Sequence, residues 1–195
     1  MSDPNWNKIQ KKQQELIEVL DKELKWFNKE ELDNTARRVT GYYKELWDRQ
    51  EFKFTTFKAP LSETNSMVVL KDINFYSMCS HHLISFFGKA HVAYLPKKKG
   101  KICGISKLAR MVVKHASRPQ IQERMTNEIA DELMKKLDAK FVMVVVEGQH
   151  LCMLARGIKQ NASVMSTSAV RWGHSKHDKE EVNTLKDEAM RLFGL

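Results

Sequence analysis

Two short segments of the chain combine the side chains that bind transition metals. Cys79 and His82 stand three residues apart, and Cys152 follows much later. Zinc prefers thiolate and imidazole ligands, and a catalytic zinc takes three protein ligands and leaves one position for water. His81 and His150 stand beside these ligands and could transfer protons near neutral pH. The spacing predicts a zinc site flanked by two proton-transfer groups. The alternative is that the cysteines are small apolar packing groups, which is their commoner role.

A second cluster has the residue types that bind phosphate. Ser106 is expected to be the N-cap of a helix, whose first turn offers free N–H groups and a favourable dipole to an anion. Lys107 and Arg110 stand three residues apart and would share one face of that helix. The alternative is an ordinary basic helix start. Arg156 lies four residues after Cys152 on an expected strand, where even spacing places both on one face, so it could reach a phosphate next to the metal.

Glu123 is the single acid in a strongly basic region, 89–124, which carries ten Lys and Arg residues. The excess of nine in this region equals the net charge of the whole chain, +9. Concentrated positive charge favours an anionic partner, such as nucleic acid or a phosphate-bearing ligand. A solvated turn is the simpler interpretation of 97–101. Glu123 either neutralises Arg124 or Lys107, or it accepts the paired N–H groups of a base such as guanine.

Length and composition limit the classes of protein. The chain has 195 residues, of which 42% are hydrophobic, and includes nine Phe and four Trp. This suffices for one domain with an extension and excludes a disordered chain. No apolar run is long enough to span a bilayer, and the first residues are polar. Three cysteines are an odd number for a disulfide scaffold, so we expect a cytoplasmic protein with free thiols.

Hydrophobic periodicity predicts the elements that position these residues. The expected order is a helix within 1–29, a helix starting near Asn34, a loop (51–66), strands (67–77 and 83–95), a charged turn (96–100), a helix (106–115), a helix with Pro119 in its first turn, strands (141–147 and 151–157), an extended segment (162–172) and a helix (178–193). This order predicts an α+β fold with helices on one face of the sheet. A sheet of about four strands leaves exposed edges, which oligomerisation could cover.

Five motifs occur in the order and with the spacing of one known family. They are Ser77-Met-Cys-Ser-His-His82, Gly88-Lys-Ala-His-Val-Ala-Tyr-Leu-Pro96, Gly104-Ile-Ser-Lys-Leu-Ala-Arg110, Arg118-Pro-Gln-Ile-Gln-Glu-Arg124 and His150-Leu-Cys-Met-Leu-Ala-Arg-Gly157. Through these motifs the chain resembles GTP cyclohydrolase I over roughly residues 34–173. Five motifs in register are far more specific than any one of them.

The resemblance implies the tunnelling fold, in which β-β-α-α-β-β units join through their edges into a pentameric β-barrel ring. Two rings would stack as a homodecamer with active sites between subunits. Residues 1–60 would be an N-terminal helical extension, and 61–195 the catalytic domain with the C-terminal helix. The implied activity converts GTP and water to 7,8-dihydroneopterin triphosphate and formate, with one zinc per subunit.

Matched position by position, the resemblance implies three groups of site residues. The zinc ligands would be Cys79, His82 and Cys152. The catalytic residues would be His81 and His150, with Ser106 assisting the later rearrangement. The substrate contacts would be Gln122 and Glu123 on guanine, and Ser106, Lys107, Arg110, Arg156 and Arg38 on the triphosphate, the last from a neighbouring subunit.

The sequence departs from the family pattern at three positions. Ser80 stands where the family usually has Glu, Ala36 replaces a proline before the second helix, and Gly41 replaces a lysine one turn past Arg38. Because the metal and histidine positions are intact, we expect activity with a weaker phosphate contact. Two alternatives stay open: a tunnelling-fold relative that acts on another purine or pterin, and a basic nucleic-acid-binding protein whose affinity would fall steeply with salt.

Overall fold

The computed structural model describes residues 3–59, 66–173 and 179–195. The chain divides into two units, Met1–Arg49 and Gln50–Leu195. The boundary expected at residue 60 lies outside the described residues. Within the three described ranges, every helix is too short or too polar to cross a membrane.

The N-terminal unit consists of two helices, α1 (Trp6–Leu24) and α2 (Lys29–Asp48). The Asn28 side chain accepts a hydrogen bond from the Glu31 N–H, and the Glu31 carboxylate accepts one from the Asn28 N–H. This reciprocal pair is a capping box, which fixes the start of α2. The prediction that α2 begins near Asn34 is therefore wrong. Asn34 lies inside the helix, where its amide donates to a carbonyl one turn earlier.

The second unit contains the other strands and helices of the described residues. The strands are β1 (Thr56–Lys58), β2 (Val68–Cys79), β3 (Ser85–Leu95), β4 (Lys101–Cys103), β5 (Pro119–Gln120), β6 (Phe141–His150) and β7 (Met165–Trp172). The helices are α3 (Ile105–Ala116), α4 (Gln122–Leu137), α5 (Leu151–Leu154) and α6 (Lys179–Phe193). This is an α+β unit, as the element order predicts.

Five strands form one sheet in the order β5-β2-β3-β6-β7, and β1 pairs with β4 in a separate ribbon. Neighbours are antiparallel except β5 and β2, which are parallel. The central pair β3–β6 keeps one register from Phe86 opposite His150 to Leu95 opposite Phe141. This register places the end of β6 beside the start of β3, next to the turn that joins β2 to β3.

Local interactions explain three differences from the predicted elements. The N-cap of α3 is Gly104 and not Ser106, because the helix follows directly after β4. Pro119 lies in β5 and not in a helix. Since β5 is at the edge of the sheet, the missing N–H of the proline is tolerated there. The loop expected over 51–66 contains the short strand β1.

The segment after His150 also differs from the prediction. A strand was expected over 151–157, but the chain forms the short helix α5 instead. His150 is opposite Phe86, and β3 extends only one residue further, to Ser85. The pairing of β6 with β3 therefore ends at His150, and the chain can turn after this residue.

Helices cover both faces of the sheet, whereas one covered face was expected. Alternate residues of β6 separate into two clusters, since successive side chains of a strand point to opposite faces. Val142, Val144 and Val146 pack in the cluster formed with α3 and α4, and we call this the inner face. Phe141, Met143 and Val145 pack with Ala189 and Phe193 of α6, and we call this the outer face.

A β-bulge in β2 changes the face to which its residues point. Val68 and Leu70 pack on the inner face, and so do Phe75 and Cys79, although the first two have even numbers and the others odd. The register with β3 shifts by one residue between Leu70 and Ile73, and Asp72 within the bulge has a φ of 59°. A bulge of one residue reverses the inside–outside alternation. Without it, Cys79 would point to the outer face.

The left-handed backbone at Asp72 yields a prediction with a matched pair of variants. Left-handed geometry costs an L-residue about 1–2 kcal/mol, least for Asp, Asn and Gly and most for β-branched residues. Asp72→Gly and Asp72→Val both remove the exposed ion pair with Lys89. We expect Asp72→Val to lower the free energy of unfolding by about 1–2 kcal/mol more than Asp72→Gly, as measured by urea denaturation. Equal free energies of unfolding of the two variants would contradict the left-handed backbone at Asp72, on which the bulge depends.

Candidate metal centre

Three predicted zinc ligands converge on the inner face of the sheet. Cys79 ends β2, His82 lies in the β2–β3 turn and Cys152 lies in α5. One ligand atom from each residue lies within 4.8 Å of the other two. The three residues that the sequence spacing singled out thus lie together in the structure. Their two sulfurs and one imidazole nitrogen can hold a metal ion.

Main-chain hydrogen bonds close the turn that carries two of these ligands. The Cys79 N–H donates to the Ile84 carbonyl at 2.9 Å, and the Leu83 N–H donates to the Cys79 carbonyl at 2.8 Å. Leu83 has a φ of 55°, an unfavourable value for a side chain of this size. The Ser80 N–H donates to the Gln120 carbonyl of β5 at 2.9 Å. These main-chain bonds fix the backbone of the turn that carries Cys79 and His82.

The chemistry of the donor set fits zinc. Burial raises the pKa of the Cys152 thiol above its ordinary value, and the neighbouring Cys79 sulfur raises it further. A divalent cation between two such sulfurs reverses this effect, because a coordinated thiol loses its proton. Two thiolates and one imidazole are three of the four ligands of a tetrahedral zinc. The residues present therefore suit a zinc ion with one position left for another ligand.

His81 lies beside the metal group without belonging to it. Its Nδ1 is 3.9 Å from the Cys79 Sγ, and the Nδ1 of His82 is 3.8 Å from the same sulfur. The two rings are nearly perpendicular, with centroids 6.3 Å apart. Because both imidazoles are exposed, His81 can exchange protons with solvent next to the candidate metal.

His150 is held at the end of β6 by two contacts. Its ring stacks on Phe86 with centroids 4.5 Å apart and planes within 4°. Its Nε2 lies 2.9 Å from the Oε1 of Gln122. Burial lowers the pKa of His150 below its ordinary value, and the Glu123 carboxylate partly opposes this. The lowered pKa favours the neutral form of this half-buried imidazole, which is suited to accept and return a proton.

Gln122 and Glu123 are neighbours in sequence but differ in their environment. Both lie in the first turn of α4, which begins at Gln122. Gln122 is 1% exposed and its amide is bonded within the protein, whereas Glu123 is exposed. Among the described residues, no ion pair involves the Glu123 carboxylate. Arg124, one of its expected partners, instead donates to the Gln120 side chain at 2.7 Å and to the Pro119 carbonyl.

Three of the predicted phosphate-binding residues lie at the start of α3, and a fourth, Arg156, follows the end of α5. Ser106, Lys107 and Arg110 are in the first turns of α3, and its N-terminal N–H groups have no side-chain cap. The Lys107 Nζ donates to the carbonyl of Lys53 at 3.0 Å. Arg156 is exposed and follows α5. Cys152 lies in α5 and Arg156 follows that helix, so the two residues do not lie on one strand. The even spacing that was expected to place both on one face therefore does not apply.

Arg38 lies on α2 in the N-terminal unit, where its guanidinium pairs with Glu30 at 2.7 Å. Both side chains of this ion pair are more than half exposed, so the pair adds little to stability. The cation is therefore accessible to another anion at small cost.

Sequence reasoning missed three residues that shape the site. Phe86 stacks on His150, the carbonyl of Gln120 holds the metal-binding turn, and Gly148 leaves room for the Gln122 side chain. A glycine inside an apolar strand indicates a close approach by another group, and this signal was available for Gly148. Phe86 and Gln120 give no comparable signal, because their roles depend on strand pairing.

The fold and the site define a class of protein: an α+β chain that can hold a metal through two thiols and one imidazole, with further histidines beside it. The family model of GTP cyclohydrolase I matches residues 9–190. The chain belongs to this family and is an enzyme of this type. The match confirms the resemblance seen in its motifs.

Individual relatives agree with the family assignment. A GTP cyclohydrolase 1 of Desulforamulus reducens is 42% identical over 191 residues, which cover 95% of this chain and 96% of the relative. One of Clostridium perfringens is 38% identical over 194 residues, covering 97% and 98%. One of Corynebacterium glutamicum is 48% identical over 148 residues, covering 75% and 76%. For the first two relatives, the similarity extends over nearly the full length of both chains.

The three-ligand arrangement predicts how cysteine substitutions affect metal binding. We expect Cys152→Ser to weaken zinc binding by more than the roughly 10–100-fold that loss of an outer partner costs, because a ligand itself is removed. Cys103→Ser is the control, since Cys103 is a free cysteine that is more buried than Cys152 and lies outside the metal group. Metal content after dialysis, measured by mass spectrometry, and far-UV circular dichroism check both variants. Retention of zinc by folded Cys152→Ser would show that the ligand assignment is wrong.

Proposed function

We propose that the protein converts GTP and water to 7,8-dihydroneopterin triphosphate and formate. The observation that carries this proposal is the convergence of the Cys79, His82 and Cys152 ligand atoms, with His150 held just before the third ligand. The names of the relatives, GTP cyclohydrolase 1, support GTP as the substrate.

Zinc is the metal that these residues would hold, one ion per subunit. When bound, zinc polarises substrate oxygen and lowers the pKa of a coordinated water. Cys79 and Cys152 would supply thiolates, and His82 would supply a neutral imidazole. His150 would transfer a proton to or from the imidazole ring of guanine, and His81 would transfer protons in the later hydrolysis. These roles follow from imidazoles placed beside the metal ligands.

Glu123 is the group proposed to recognise guanine. Guanine presents a ring N–H and an amino group side by side, and a carboxylate accepts both hydrogen bonds. The carboxylate of Glu123 is exposed, and within the described ranges no cation neutralises it. It is therefore available to a ligand, and the charge-assisted bonds would be stronger than those of a neutral acceptor.

The triphosphate would bind at the N-terminus of α3. The uncapped N–H groups of its first turn favour anions, and Lys107 and Arg110 add positive charge. Ser106 would contact the phosphates and assist the rearrangement of the ribose. Arg156 would reach the same phosphates from the segment after α5. Arg38 would contribute from a neighbouring subunit, with Gly41 in place of the family's lysine.

The proposed assembly is a decamer of two pentameric rings with the tunnelling fold, in the cytoplasm. Strands β5 and β7 form the edges of the sheet, and β7 is paired on one side only within the described chain. An unpaired edge strand favours pairing with another chain. Strand β5 covers β2 only at Met78 and Cys79, so pairing of the open part of the β2 edge with β7 of another copy would close the barrel.

The internal pairing of the basic region disfavours nucleic acid as the partner. Several of its bases pair with carboxylates of the same chain: Lys89 with Asp72, Lys97 with Asp138, Lys114 with Glu132 and Arg118 with Glu128. The basic residues of α3's first turns and Arg156 form no ion pair within the described residues. Internal pairing therefore reduces the positive charge that is available to a long polyanion, and this favours a small anion as the partner.

The proposal is tested by incubating the purified protein with GTP. We expect formate and a product that becomes a fluorescent pterin on oxidation, and we expect a chelator to abolish both and added zinc to restore them. Absence of formate from a zinc-loaded, folded protein would contradict the function. Formate without a pterin would point to a relative that stops after the second hydrolysis, before the ribose rearranges and the pterin ring closes.

The Glu123 assignment predicts altered base selectivity. Glu123→Gln keeps the size of the side chain but replaces one acceptor oxygen with a donor, so one of the two bonds to guanine is lost. We expect the KM for GTP to rise by roughly tenfold or more, equivalent to about 1.4 kcal/mol or more, while the KM for ITP, which lacks the amino group, changes less. Steady-state kinetics with both nucleotides measures the ratio. An unchanged ratio would show that Glu123 does not read the base.

A further inference from the structure

The orientation of the Gln122 amide is fixed by the groups around its nitrogen. Nε2 lies 3.0 Å from the carbonyl oxygen of Val146 and 2.9 Å from that of Met165. Carbonyl oxygens only accept hydrogen bonds, so the amide nitrogen and not the amide oxygen must face them. The Oε1 atom consequently faces the Nε2 of His150, 2.9 Å away.

Two threonines close a hydrogen-bonded ring around the same residue. The Thr126 hydroxyl donates to the main-chain carbonyl of Gln122 at 2.8 Å. Its oxygen lies 2.7 Å from the Thr167 hydroxyl, which must then be the donor. Thr167 in turn lies 3.1 Å from the Gln122 Nε2 and accepts from it. Each hydroxyl is therefore used once as a donor and once as an acceptor, so this ring holds the amide in one orientation.

The amide orientation determines the tautomer of His150. Because the Gln122 Oε1 is an acceptor, the His150 Nε2 must carry the hydrogen. In the neutral ring the lone pair then lies on Nδ1. The stacking on Phe86 fixes the plane of the ring, so the direction of that lone pair is also fixed.

Gly148 provides the space in which this contact forms. A Cβ added at Gly148 would lie 2.3 Å from the Gln122 Oε1 and 3.6 Å from the His150 Nε2. Any side chain at this position would therefore displace the amide oxygen from His150. Gly148 therefore permits the contact between Gln122 and His150.

We propose that Gln122 is a positioning residue that holds His150 in the Nε2–H tautomer, and that His150 exchanges its catalytic proton through Nδ1. This assignment replaces the expected contact between the Gln122 side chain and guanine, since the side chain is 1% exposed and its amide is already bonded. Recognition of the base is left to Glu123.

The proposed proton transfer leaves the positioning contact intact. Nδ1 takes a proton from water, which gives an imidazolium with hydrogen on both nitrogens and leaves hydroxide. Nδ1 then donates this proton to a ring nitrogen of the substrate, and His150 is neutral again. The Nε2–H donates to Gln122 in both states, so no reorganisation accompanies the transfer.

The tautomer is measured directly on the wild-type protein. Magic-angle-spinning NMR of sedimented protein with ¹⁵N-labelled histidine distinguishes protonated from unprotonated ring nitrogens, and the His150→Ala spectrum assigns the signals. We expect the neutral form to carry hydrogen on Nε2 and not on Nδ1. A hydrogen on Nδ1, or a mixture of tautomers, would overturn the proposal. This readout needs no turnover, so it decides the inference even if the proposed function fails.

Kinetics of two variants test the catalytic part, which rests on the proposed function. Gln122→Met removes the acceptor at nearly constant volume, and Gly148→Ala displaces it without changing Gln122. We expect both to lower kcat by roughly 10–100-fold, at or below the lower limit of what a general acid–base group contributes, with the KM for GTP changed less than about twofold. A rise in KM with loss of discrimination against ITP would restore direct guanine binding and overturn the proposal.

A third variant controls for loss of a buried amide as such. Gln120 is also fully buried, but its amide bonds Glu128 and Arg124 and not His150. We expect Gln120→Met to lower thermal stability like Gln122→Met while leaving the His150 Nε2 signal at its wild-type position. The same signal should move in Gln122→Met, because the N–H loses its acceptor. Equal spectra of the two variants would overturn the assignment, whatever their stability.

Discussion

The one-residue bulge in β2 is the constraint on which the candidate site depends. A strand alternates its side chains between two faces, so the position of Cys79 is decided seven residues earlier, at Asp72. The bulge lets the strand start with Val68 and Leu70 inward and end with Cys79 inward. The β3–β6 register then determines where Cys152 emerges. Two backbone features far from the ligands thus create the metal centre.

The start of α4 divides two tasks between adjacent residues. The chain enters the helix from β5, and this turns Gln122 toward β6 and β7 and leaves Glu123 exposed. The buried amide is saturated by main-chain and threonine partners, which makes it a rigid support. The exposed carboxylate has no such partner in the described structure. Gln122 therefore stabilises the protein's own structure, and Glu123 is available to a ligand.

Much of the fold and the identity of the metal ligands could be predicted from the sequence. Helical spacing and β-branched runs indicated the long elements, and the Cys-His pair with a distant Cys indicated the metal group. The errors arose where tertiary pairing overrides local pattern. Pro119 reads as a helix start until β5 is seen to pair with β2, and residues 151–157 read as a strand until β3 ends. The burial of Gln122 could not be inferred from a helix whose first three residues are all polar.

The distance along the chain between the ligands sets an order of events during folding. Cys79 and His82 belong to one tight turn that forms from neighbouring residues, whereas Cys152 arrives only when β6 has paired with β3, some sixty residues after β3 itself. Contacts of high sequence separation form late because their loop must first close. A metal ion that meets the nascent chain therefore finds two ligands at first, and the third secures it only after the central sheet is assembled. Retention of the ion thus reports that β3 and β6 have paired.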